Sequence, residues 1–134
     1  MEQYKIVVAN LESELEEELL IEVDEAEASD EIVIKALIMG KEITASNDSY
    51  LQAYQEFRDS LLSLGYGMKC NGSRINAVQS GMLSSVGKVY LVEMGRAALM
   101  KDVVNIFDFA ELNEFPNTEQ QESFFEQWSD CHKN

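Results

Sequence analysis

Cys70-Asn71-Gly72-Ser73-Arg74-Ile75-Asn76-Ala77-Val78-Gln79-Ser80-Gly81-Met82 lies mid-chain, between a helical pattern and an apolar run, and carries the periodicity of neither. Gly72 and Gly81 bracket Asn71, Ser73, Arg74, Asn76, Gln79 and Ser80, side chains that bond to nearby backbone and fix turns. A stretch of this length without regular structure exceeds an ordinary connection, and such loops are often functional. Arg74 is its one permanent charge, a rigid fork of five donors suited to carboxylate or phosphate. Two readings stay open. Either the loop is an ordered connection with Arg74 paired to a nearby acid, or Asn71, Ser73, Arg74, Asn76 and Ser80, with Lys88, form an anion site.

Upstream, Ser49 and Gln52 have the spacing of a capping box, and Tyr50, Tyr54, Phe57, Leu61 and Leu64 recur at helical steps. Gln55, Glu56, Arg58 and Asp59 fall between them as the polar side, and Gly65 marks the stop. Tyr66–Cys70 reads as a strand entering the loop. Before the helix, Tyr4–Ala9 reads as a strand, followed by a turn around Asn10–Glu14 and a strand from about Glu17 to Val23. An acidic turn, Asp24–Asp30, leads to Ile32–Met39, an apolar run read as buried on both faces and extending past Gly40 toward Thr44. Short polar joins between adjacent strands favour antiparallel hairpins. Downstream come strands at Val89–Met94 and Val103–Phe107, separated by an Arg96–Asp102 connection. Pro116 and Asn117 then announce a last helix, with Thr118 and Gln121 as its capping box and Phe124, Phe125 and Trp128 as an aromatic core face. The expected fold is α+β: a mainly antiparallel sheet of about five or six strands with two helices packed on it, in a single domain spanning 1–134.

Charge is the distinctive total. The chain of 134 residues carries a formal −15. Residues 1–31 hold 12 acids against Lys5, residues 32–104 hold six acids against eight bases, and residues 105–134 hold seven acids against one base. The negative field therefore belongs to the two ends of the chain. Such a surface repels nucleic acid and anionic membranes and attracts basic proteins at rates that fall with salt. Apolar residues make up 46%, enough for a real core. Two cysteines without metal-type spacing, no signal-like start and no long apolar run point to a cytoplasmic protein with reduced thiols.

Familiar chemistries fit poorly. The one histidine, His132, is among the last three residues, so a Ser–His or Cys–His nucleophile is not expected. Gly81–Lys88 places five residues between its glycines and Val89 after its lysine, where a phosphate-binding P-loop has four and a Ser or Thr. Asp24–Glu31 is acidic, but Ala26, Ala28 and Ser29 stand where a calcium loop needs oxygen ligands and a glycine. No enzyme activity, metal or cofactor is expected.

The runs Cys70–Arg74, Ser80–Met82, Gly87–Tyr90, Gly95 and Asp102–Asp108 resemble a group of small bacterial proteins of mostly unassigned function. In size and acidity these are similar to immunity proteins that neutralise toxins of bacterial competition, including contact-dependent growth inhibition. That resemblance implies a protein that binds a basic toxin, such as a nuclease domain, and binds neither nucleic acid nor membrane. The acids available for such a contact are Glu14, Glu16, Glu17, Glu18, Glu22, Asp24, Glu25 and Glu27 near the start, and Glu111, Glu114, Glu119 and Glu122 near the end. A small-ligand or anion-binding regulatory protein using the loop 71–82 is the alternative.

Overall fold

The computed structural model describes residues 2–26 and 29–131. Four strands run up and down in sequence: β1 (Glu2–Asn10), β2 (Glu16–Glu25), β3 (Ile32–Ile38) and β4 (Lys41–Asn47). Helix α1 (Tyr50–Ser63) follows, and β5 (Tyr66–Met68) returns to pair with β1. The result is a five-stranded antiparallel sheet of order β4-β3-β2-β1-β5. Three short strands, β6 (Ala77–Val78), β7 (Lys88–Leu91) and β8 (Val103–Asn105), form a second antiparallel sheet before α2 (Thr118–Cys131). The fold is α+β, as the sequence suggests, with the strands divided between two sheets.

The turns follow from local chemistry. Asn10 Oδ1 accepts from the amides of Glu12 and Ser13 at 2.9 and 3.0 Å, which turns the chain between β1 and β2. Between β3 and β4, Met39 and Gly40 both have positive φ (50° and 74°), the two-residue hairpin loop whose twist matches its strands. Gly40 therefore ends β3 and does not carry it on to Thr44. β3 is also buried on one face only, since Leu37 is 66% exposed. Period-two alternation puts Ile32, Ile34, Ala36 and Ile38 inward and leaves the other row on an open face.

The inward rows of the large sheet, including Ile6, Val8, Ile21, Val23 and Ile34, pack on Ala53, Tyr54, Phe57 and Leu61 of α1. Burying each large side chain there contributes about 1.5–3 kcal/mol. A smaller cluster joins Val78, Leu83, Tyr90 and Val92 of the second sheet and its flanks to Trp128 of α2. Trp128 Nε1 donates to the Arg96 carbonyl at 2.8 Å, satisfying the indole as it is buried. Phe125 packs its ring at 5.9 Å from that of Trp128 but stays 44% exposed, so the aromatic residues of α2 are not all buried in the core.

Both helix starts depart from the expected pattern. Ser49 Oγ accepts from Gln52 N at 3.2 Å, but the Gln52 side chain meets the Ser49 hydroxyl in place of its backbone amide. At α2 the reciprocal box belongs to Asn117 and Gln120, each side-chain oxygen accepting from the other's backbone amide at 2.9 Å. Thr118 and Gln121 are thereby released for long-range bonds.

Candidate functional site

The stretch 70–82 has regular pieces of its own: a 3-10 turn at Asn71–Ser73, the strand β6, and a second 3-10 turn starting at Gly81. Its polar side chains are mostly spent on holding it in place. Asn71 Nδ2 donates to the Asn105 carbonyl at 3.0 Å, and Asn76 Nδ2 donates to the Val92 carbonyl at 3.0 Å. Ser73 Oγ lies 2.6 Å from the Tyr54 hydroxyl, fully buried. Gly72 permits this close docking, because a Cβ there would meet Ile106 Cγ1 at 2.7 Å and Tyr54 Cε1 at 2.8 Å. Burial pushes the Cys70 thiol up to about 12, opposed by a hydrogen bond from Tyr54 and aided by Asp108. Cys70 is therefore a buried neutral thiol with no nucleophilic character.

The six residues read as an anion site do not all converge. Ser73, Arg74 and Asn76 border a groove of about 770 Å³ against Glu111–Pro116, Ser80 borders a different groove, and Lys88 borders neither. Arg74 Nε donates to Asn71 Oδ1 at 3.1 Å. Among the described residues Arg74 has no ion pair, although Glu111 and Glu114 border its groove.

The most elaborate polar cluster was not visible in the sequence. Arg58 is fully buried, with Nε on Asp59 Oδ1 at 2.7 Å and Nη2 on Gln121 Oε1 at 2.8 Å. Asp59 also accepts from the Thr118 amide and hydroxyl at 3.2 and 2.6 Å, which joins α1 to the start of α2. Gln121 Nε2 donates to the carbonyls of Gly72 and Arg74 at 2.9 and 2.8 Å, so one amide ties both helices to the central loop. The spacing held a clue. Arg58 stands four residues after Tyr54 and three before Leu61, and Gln121 stands seven before Trp128, each on its helix's apolar stripe.

The acids fall into two groups that meet. Glu18, Glu22 and Asp24 alternate with inward Leu19, Ile21 and Val23, so they lie on the outer face of β2 together with Leu20, which is 48% exposed. Glu42 pairs with Leu37 on that face, while Lys35 sits opposite Glu22 and Lys5 opposite Leu20. Glu14 occupies the β1–β2 turn with φ 65°, and Glu17 and Glu25 are exposed near the ends of β2. Glu27 lies outside the described residues, as does His132. From the other group, Glu111 shares the Lys69 ammonium with Glu16, at 2.6 and 2.5 Å. Hydrogen bonds to Glu111 and Glu16 raise the Lys69 pKa. Glu114, Glu119 and Glu122 are exposed along the 111–116 segment and the first turns of α2.

Among the described residues no group of three His, Cys, Asp or Glu side chains could hold a metal ion, and no helix is long and apolar enough to cross a membrane. No protein-family model matches the chain, and no curated protein matches its sequence.

Proposed function

We propose that this is an acidic binding protein that captures a basic protein, in the manner of an immunity protein silencing a nuclease toxin. The observation that carries this reading is the outer face of the large sheet. There Leu20 and Leu37 stay exposed in a row with Glu18, Glu22, Asp24 and Glu42. Lys5 and Lys35 share this face, but the four acids outnumber them. Exposed apolar side chains on a mainly acidic face suit a basic partner, with steering from the acids and anchoring from the leucines. Glu16 and Glu111 contribute less to such a field, because Lys69 neutralises part of their charge. The test mixes the protein with basic bacterial nuclease-toxin domains and follows nuclease activity. Inhibition at equimolar protein, relieved by Glu18→Lys with Glu22→Lys, supports the reading. Nuclease activity that no excess of protein reduces, for every domain tried, would end it.

Arg74 favours a second reading, a site for a small anion. Its Nε is held by Asn71, and among the described residues its two terminal nitrogens have no protein acceptor. In that case phosphate or citrate raises the melting temperature of the wild type and not of Arg74→Ala.

A further inference from the structure

The groove that Ser80 borders has a floor whose hydrogen-bond polarity can be worked out from the backbone outward. Gln121 Nε2 faces two carbonyls, those of Gly72 and Arg74, so its amide orientation is fixed and its Oε1 must accept. That oxygen takes Arg58 Nη2 and, at 3.1 Å, Gln55 Nε2. Gln55 must therefore turn its nitrogen toward Gln121, which leaves its own Oε1 as a fixed acceptor. Gln55 is 92% buried by its 8% exposure, it borders the groove, and among the described residues nothing donates to its Oε1. An acceptor of a buried side chain that has no protein donor and stays accessible at the groove is open to a donor from a ligand.

The rest of the groove agrees on what the donor is. It encloses about 310 Å³, the low end for a binding pocket and ample for one side chain. Leu51 and Val78 give it an apolar lining, and the half-exposed Phe125 ring borders it. Glu122 is the one charged residue bordering it, and no base does. Acceptor at the floor, carboxylate at the border and aromatic face together describe a site for a planar cation. A guanidinium satisfies all three, by donating to Gln55 Oε1 and Glu122 and stacking on Phe125. We propose that this groove receives an arginine side chain of the basic partner. The assignment rests on the reading of this chain as a binder of a basic protein. Because α1 packs on the inward side of the large sheet, the groove and the acidic outer face lie on different sides of the molecule, and a partner using both reaches around it.

The probe is N-acetyl-arginine amide, with the citrulline amide as its neutral counterpart of the same shape, followed by amide chemical shifts of the full chain. Arginine amide is expected to shift Gln55, Ser80 and Phe125, and citrulline amide to bind several-fold more weakly. Phe125→Ala and Glu122→Gln each weaken arginine binding about threefold while the spectrum stays dispersed. Equal binding of both amides, shifts confined to other surfaces, or no shifts at all would overturn the assignment. A parallel titration with a basic nuclease-toxin domain separates the two ideas. If that domain binds and Phe125→Ala leaves its affinity unchanged, the groove assignment fails and the binding reading stands. If arginine amide occupies the groove while no nuclease domain binds, the binding reading fails and the groove remains a guanidinium site.

Discussion

The two halves of the molecule are held together by different forces. From Glu2 to Met68 the structure is a hairpin series and one helix, sealed by apolar side chains that alternate along strands and recur along α1. From Cys70 onward the strands shrink to two to four residues; Cys70, Ala77, Val89, Ile106 and Phe107 join the large core, and the second half's own apolar cluster is small. Beyond those core residues, its order comes from side chains that bond to backbone: Asn71, Asn76, Gln79 and Gln121 each donate to carbonyls of other segments. Arg58 and Asp59 extend from the first half into the second and fasten α2. A core built by area tolerates local change by repacking. A lattice built from amides loses several bonds at once when a shared amide such as Gln121 is removed.

That contrast can be broken at its strongest point first. Phe57→Ala empties a fully buried position between sheet and helix and is expected to cost about 3–5 kcal/mol, seen as a lower urea midpoint by every probe. Gln121→Ala is expected to cost about 2–4 kcal/mol, since it strands two carbonyls and an arginine N–H at once. Its signature differs: hydrogen exchange accelerates in residues 71–78 and α2 well before the large sheet. Equal acceleration everywhere would mean that the two halves do not differ in the way described.

Alkaline pH probes the seam between them. Cys70 has its pKa raised from 9.0 to about 12, and burial raises that of Tyr54 as well. Above pH 9 the unfolded chain loses the Cys70 proton while the folded chain keeps it, so the unfolded state binds fewer protons and stability falls as pH rises. The loss from Cys70 approaches about 1.4 kcal/mol per pH unit up to its folded pKa and is absent below pH 8. Urea midpoints at pH 8 and 11 measure it, and Cys70→Ala should flatten part of the slope. The smallest effect expected is at Asn117, whose loss as an exposed helix cap costs about 1 kcal/mol and leaves the 71–78 loop protected.

The same contrast explains what could be read from the sequence. Apolar runs and helical steps suffice to place β1, β2, β3 and α1, although the continuous run of β3 hides that only one of its faces is buried. The hairpin at Met39-Gly40 reads in the sequence as continuous strand, since an apolar Met next to a Gly gives little sign of a turn. In the second half the bonds run from single amides to distant backbone, and such pairing has no period. Arg58 and Gln55 looked like the solvent side of α1, yet both are buried, because a second helix arrives with a glutamine that can satisfy them. The outer-face acids were visible as composition, but their row on β2 needed the register with β1 and β3.

The most direct test of the binding role is the association rate with a basic nuclease-toxin domain, measured between about 0.05 and 0.5 M salt, where screening shortens from above 10 Å to a few ångströms. Capture by the acidic face predicts a rate that falls tenfold or more over that range in the wild type, and a much flatter dependence for Glu18→Lys with Glu22→Lys. A rate indifferent to salt, or the same steep slope in both proteins, would contradict it.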